Sequence, residues 1–204
     1  MEIIGPHKVL NGSVESLVLD SMLAGEKVRI LYSDLPWGEG NVKYWVTINK
    51  RHTGVEVEPL TYQRMLDRIM NLIDRYVDGH VFIETGPAFS DELQGLLSER
   101  LVSVTRYDTL YRSGSRMRDC VLLYGSTRKT DSLNGFNPSG MTGYAQVRDC
   151  LKAVAEPNAI VLDPMCGMGY TAKATLQAGM VFRGNELNAK RLAKTIAVLQ
   201  KGTR

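Results

Sequence analysis

The stretch Val161-Leu162-Asp163-Pro164-Met165-Cys166-Gly167-Met168-Gly169-Tyr170-Thr171 decides the fold. An apolar strand at 159–162 runs into a glycine turn that opens a helix over 170–178. Glycines let the backbone come close to a ligand, and the first turn of the helix presents unpaired N–H groups to it. The next strand, 181–184, ends at Asn185-Glu186-Leu187-Asn188. An acid at that strand tip, about twenty residues past the glycines, is suited to hold ribose hydroxyls.

Outward from this unit the same alternation continues. Strands are expected at 7–12, 28–33 and 80–84, with helices at 14–23, 62–77, 90–100, 144–155 and 188–200. The helix over 62–77 is carried by Tyr62, Leu66, Ile69, Met70, Ile73 and Val77 at three- and four-residue intervals. Residues 38–61 read as a loop. Strands at 101–107 and 117–124, flanking Ser113-Gly114, form an antiparallel edge hairpin. Residues 126–143, rich in Gly, Ser, Asn and Pro, read as a mobile surface loop. Alternating strands and helices imply an α/β fold with a mostly parallel sheet covered on both faces.

The chain of 204 residues, 44% hydrophobic and 23% charged, suffices for one well-packed domain and falls short of two of ordinary size. Within it a half at 1–125 and a half at 144–204 flank the loop. No apolar run approaches the roughly 18 residues that span a bilayer, and the start Met1-Glu2-Ile3-Ile4-Gly5-Pro6 has no basic region ahead of an apolar core. A cytoplasmic protein without a membrane partner is expected. Cys120, Cys150 and Cys166 are odd in number and far apart, and only three histidines are present, so neither disulfides nor a metal site is expected. A net charge of +3 permits an anionic partner without demanding one.

A second string, Ser33-Asp34-Leu35-Pro36-Trp37-Gly38, also stands at the carboxyl end of a buried strand, where open α/β sheets bind their ligands. It resembles the Asp-x-Pro-aromatic catalytic motif of the amino-methyltransferases that act on adenine or cytosine. Residues 163–169, DPMCGMG, resemble their motif for S-adenosyl-L-methionine (SAM), commonly written DPFxGxG. The catalytic motif precedes the SAM motif, as in the circularly permuted beta class. HKVLNGS, HVFIETG and RGNELN resemble the family's strands around the two motifs. Leu35 stands where the family usually has Pro, and Ser13 where many members have an Asp near the cofactor adenine.

The resemblance implies a Rossmann-like SAM-dependent methyltransferase fold, circularly permuted, with SAM as cofactor and no metal. It implies catalytic roles for Asp34, Leu35, Pro36 and Trp37. Asp163, Pro164, Met165, Cys166, Gly167, Gly169, Glu186, Asn188 and Ser13 are the implied cofactor-binding residues. An aromatic amino group delocalises its lone pair into the ring, so it attacks a methyl donor only when acceptors hold its hydrogens. The Asp34 carboxylate and Leu35 carbonyl supply these, Pro36 fixes the turn, and Trp37 offers a face for an extruded base.

Between residues 100 and 129, seven Arg and Lys alternate with tyrosines and face few acids. Arg106, Arg112, Arg116 and Arg118 suit phosphate contacts, and Lys43 and Arg51 add to them beside the catalytic motif. The expected partner is nucleic acid, DNA ahead of RNA and adenine ahead of cytosine. The chain lacks the large target-recognition region of sequence-reading members, which leaves room for a homodimer or a separate recognition subunit. Methylation of RNA or of a protein glutamine, and a SAM-binding subunit without activity, are the alternatives.

Overall fold

The computed structural model describes residues 1–58, 60–129 and 133–202, and of Ser113 and Asn134 only the backbone. Its sheet contains β1 (Glu2–Ile4), β2 (His7–Asn11), β3 (Val28–Asp34), β4 (Val77–Thr85), β5 (Ser103–Ser113), β6 (Arg116–Ser126), β7 (Ile160–Asp163) and β8 (Val181–Glu186). Their order across the sheet is β1-β2-β8-β7-β3-β4-β6-β5. The run β2-β8-β7-β3-β4 is parallel. β1 pairs antiparallel with β2, and β6 and β5 close the other side as an antiparallel hairpin.

Successive residues of a strand point to opposite faces, so a strand buried on both sides reads as a continuous apolar run. In β3, Leu31 packs with Ile69 and Leu66 of α3 (Tyr62–Tyr76) and with Leu19 of α1 (Leu17–Leu23). Its neighbours Ile30 and Tyr32 face the other way. They meet Val147 and Leu151 of α5 (Gly143–Ala153) and Ala174 of α6 (Tyr170–Gln177). α4 (Ser90–Ser98) joins the first layer through Leu93 and Leu97. α7 (Ala189–Gly202) covers Val9 and Phe182 with Leu192 and Leu199. Among the described residues no helix is long and apolar enough to cross a membrane.

Four expectations need correction. Residues 38–61 are not all loop, because α2 occupies Gly38–Thr53. Gly38, Gly40 and several β-branched residues lower its intrinsic propensity, and only Gly38, Val42 and Asn49 are buried, so no apolar stripe announces it. Its C-cap Gly54 takes the left-handed conformation at φ 73°, and Glu39 accepts from the backbone N–H of Tyr62 at 2.7 Å, tying α2 to the start of α3. Next, α3 passes straight into β4 at Val77, so this strand begins three residues before the expected 80–84. The hairpin strands have 11 residues each, longer than the expected pair, and β1 adds an edge. Lastly, the 126–143 segment is anchored from residue 133 onward: Leu133 is buried in the core, Leu110 donates to the Met141 carbonyl at 2.8 Å, and Gly140 donates to that of Asp108 at 2.9 Å. Residues 130–132 of that segment lie outside the described residues.

The chain leaves β7 toward β8 on one side and leaves β3 toward β4 on the other. The crevice outside the carboxyl ends of β7 and β3 is therefore the place where such a sheet opens to a ligand.

Candidate active site

At this crevice three consecutive strands end in acids, Glu186 on β8, Asp163 on β7 and Asp34 on β3, and β4 carries Glu84 one residue before its end. Asp34 and Glu84 are register partners, and Asp163 is paired with Gly184, two residues before Glu186. All four line one cleft of about 1260 Å³ that runs from the glycine turn to the hairpin. Strand spacing of roughly 4.8 Å makes the row about 14 Å long.

The glycine turn is held from below. The two carboxylate oxygens of Glu186 accept from the backbone N–H groups of Gly167 at 2.9 Å and Asn188 at 2.8 Å. Asp163 accepts from the N–H of Met165 at 3.1 Å. Asn188 caps α7, its side-chain oxygen accepting from Lys190 and Arg191 N–H at 3.1 and 3.2 Å. Gly169, at φ 90°, is the N-cap of α6, and a Cβ there would lie 3.0 Å from the Thr195 Cα. Cys166 is a buried packing residue, its sulfur 3.2 Å from where a Cβ on Gly184 would stand. Ser13, Asp163, Met165, Cys166, Gly167, Glu186 and Asn188 reach the cleft. Pro164 and Gly169 shape the turn instead, the Pro164 carbonyl accepting from the Asn185 side chain at 3.1 Å.

The second turn is equally fixed. Leu35 donates its N–H to the Glu84 carbonyl at 3.2 Å and sinks its side chain into the core, 2% exposed. Gly38 at φ 78° lies under the Phe89 ring, which a Cβ would approach to 2.4 Å. Trp37 lines the cleft: its indole rests against Gly86, where a Cβ would come within 2.9 Å of the ring, and meets Tyr111 edge-on at 5.1 Å between centroids. The two rings form a corner of the cleft.

Three of these acids, Asp34, Glu84 and Asp163, are held above the usual carboxylate range. Asp34 faces open cleft, yet the enclosing walls hold its carboxyl well above the usual range, with Glu84 and Asp163 adding repulsion and Arg191 opposing it. Burial pushes Glu84 up to about 7, against the hydrogen bonds of Tyr32 and Gln146 that favour its charge. Asp163 is pushed up to about 7 by burial, moderated by Thr171 and the Met165 N–H. Raised carboxyls cost stability once ionised. Glu84→Gln should therefore match wild type near pH 4.5, gain progressively through the interval to pH 7, and be more stable above it by about 1–3 kcal/mol. Denaturant unfolding at pH 5 and pH 8 measures this, and an equal difference at both would refute it.

The basic residues separate. Arg112 and Arg118 are exposed on the hairpin and line the cleft, and Arg116 is exposed at the hairpin turn. Arg106 does not fit the expected phosphate role: it is engaged by Asp91 at 3.0 Å, by the Ser90 hydroxyl at 2.9 Å and by Asp108 at 3.5 Å. Lys43 is exposed and 3.6 Å from Glu39, and Arg51 is exposed in the last turn of α2, outside the cleft lining. Sequence reasoning missed Glu84, Tyr111 and Arg191. Arg191 stacks its guanidinium 4.3 Å from the Trp45 ring, joining α7 to α2 over the glycine turn. Only Glu84 left a signal, an acid inside the apolar run HVFIET.

No family model matches the sequence, and no curated protein matches it. Among solved structures, M1.HpyAVI superposes with a TM-score of 0.66 at 16% identity, covering 94% of this chain and 98% of that one. A complex of M1.HpyAVI with SAM aligns equally well, at 15% identity. TTHA0409 from Thermus thermophilus follows at 0.64 and 15%, covering 97% and 96%, and it too is known in complex with S-adenosyl-L-methionine. The PvuII DNA methyltransferase, specific for cytosine N4, aligns at 0.61 and 10%, covering 95% and 86%. Nearly the whole chain therefore has the α/β fold of these proteins, with its mostly parallel sheet and antiparallel hairpin.

Proposed function

We propose that the protein is a SAM-dependent methyltransferase acting on the exocyclic amino group of a nucleic-acid base, adenine in DNA first. One observation carries the reading: the Asp34-Leu35-Pro36-Trp37 turn and the glycine turn with Glu186 end adjacent parts of one parallel sheet and open into the same cleft. The residues fit the cofactor. Each Glu186 oxygen accepts one backbone N–H and retains a lone pair for a ribose hydroxyl. The Asn185 Oδ1 and Thr142 Oγ1 atoms, on residues lining the cleft, find no hydrogen-bond partner among the described residues. When bound, the cofactor supplies a methyl group on a positively charged sulfur.

The chain's own work is positioning. Asp34 and the Leu35 carbonyl accept the two amino hydrogens, the Pro36 ring fixes the turn, and Trp37 with Tyr111 walls the base. Proximity and orientation then supply much of the acceleration. The solved complexes with SAM and the DNA methyltransferase of this fold support the reading, and the exposed hairpin arginines support a phosphate backbone as partner. Incubation with labelled SAM and separate DNA, RNA and protein pools, followed by mass analysis of the methylated product, tests it. N6-methyladenine in DNA is the expected product. N4-methylcytosine would move the base, and label in RNA or protein alone would move the substrate class.

Arg112→Ala and Arg118→Ala should each weaken DNA binding and flatten its salt dependence by roughly 0.7–0.9 per lost phosphate contact. Arg106→Ala, whose guanidinium is engaged by Asp91, should leave the slope unchanged. Equal slopes for all three would remove the hairpin from the interface.

A further inference from the structure

Glu84 has no place in the reading above, yet it is a 5%-exposed carboxyl whose side-chain partners, Tyr32 and Gln146, are both uncharged. A buried acid held without a counter-ion is an expensive arrangement for a purely structural position. It is the register partner of Asp34 on the adjacent parallel strand, so both carboxyls stand on one face at the sheet's carboxyl edge. Tyr32, two residues before Asp34 on that face, donates its hydroxyl to Glu84 at 2.6 Å. Gln146 of α5 reaches the same hydroxyl at 3.4 Å. The Glu84 carbonyl also takes the Leu35 N–H, so Glu84 holds the catalytic turn with its backbone and faces the cleft with its side chain.

Resting on the proposed methyl transfer, we propose that Glu84 is a positioning residue that acts through Asp34 as a second proton station. Once the amino nitrogen carries the methyl group it is a cation with one surplus N–H proton. That N–H bond breaks as an O–H bond forms on Asp34, the electron pair of the N–H bond returning to nitrogen. The proton then passes to the Glu84 carboxylate, which restores the Asp34 charge and is later deprotonated by solvent when the cleft opens. No oxidant, reductant or further reactant is needed. The groups facing Glu84 are Asp34 and Tyr32 from β3, Asp163 from β7, Tyr111 from β5, Cys120 from β6 and Cys150 from α5, with Arg191 from α7 acting on Asp34. The tyrosines and cysteines are all pushed up by burial and stay neutral, leaving the three raised carboxyls as the groups that titrate.

Two variants should move the acid limb of the single-turnover rate in opposite directions. Glu84→Gln removes a negative neighbour, so Asp34 ionises at lower pH and the limb moves down by about one unit or more, while the plateau rate falls because the second station is gone. Tyr32→Phe removes the hydrogen bond that favours ionised Glu84, so Glu84, which must be charged to take the proton, ionises at higher pH and the limb moves up. Carboxyl-carbon NMR titration of the free protein should show Asp34 moving down in Glu84→Gln and Glu84 moving up in Tyr32→Phe without any reaction. A limb and an Asp34 titration that Glu84→Gln leaves unmoved would overturn the proposal, as would shifts of the rate limb with the same sign in both variants. If wild type methylates no pool while the NMR shifts persist, the methyltransferase reading fails and the proton handoff with it, whereas the carboxyl pairing stands.

Discussion

Asp34→Ala should bind SAM as wild type does, keep its fold, and lose about 10²–10³ in turnover or more. The side chain stands at the end of β3 and opens into the cleft, and no hydrogen bond to the rest of the protein engages its carboxyl among the described residues. Truncation therefore removes no packing and no structural bond. What it removes is an acceptor aimed at hydrogens that become acidic as the nitrogen attacks, and preorganised groups of that kind carry rate effects of this size. It also relieves repulsion from Glu84 and Asp163, so the variant should be no less stable than wild type near pH 8. Stopped turnover with unchanged calorimetric SAM binding is the expected pair of results. An Asp34→Ala protein that methylates its substrate at the wild-type rate would detach this turn from the chemistry, whatever the glycine turn holds.

The two strand-end strings that decide the fold are legible because each is short-range: an apolar run, a turn residue that must be Gly or Pro, and an acid. The elements around them are less legible in proportion to how far they rely on tertiary contacts. α2 has weak propensity and few buried positions, and it is held by its left-handed cap, by the Glu39 bond to α3 and by Arg191 on Trp45, none of which leaves a local period. Tyr111 reads as one more hairpin tyrosine, and only the 11-residue length of β5 brings it to Trp37. Arg106 reads like its neighbours until α4 places Asp91 beside it. Glu84 leaves only a faint mark, one acid in an apolar run, since a strand of nine residues with seven buried reads as core whatever one of them carries.

Glu186→Ala should weaken SAM binding by about 1–3 kcal/mol, roughly five- to 150-fold in affinity, with little change in fold. Two losses add there. The direct one is the acceptor for ribose hydroxyls. The other is local: the N–H groups of Gly167 and Asn188, which the two carboxylate oxygens now hold at 2.9 and 2.8 Å, lose their acceptor, and the glycine turn loses its floor. Glu186→Gln separates them. A glutamine keeps one carbonyl oxygen and turns an NH₂ toward the other donor, so it should retain part of the turn yet meet one backbone N–H with a donor of its own. Its affinity is expected between wild type and alanine. Because Glu186 lies three strands from Glu84 and on the far side of the row from Asp34, its loss should raise the Michaelis constant for SAM and leave turnover at saturating SAM close to wild type. Asp34→Ala shows the opposite split. Should Glu186→Ala bind SAM with unchanged affinity, the acid at the end of β8 serves the turn alone and the cofactor lies elsewhere in the cleft.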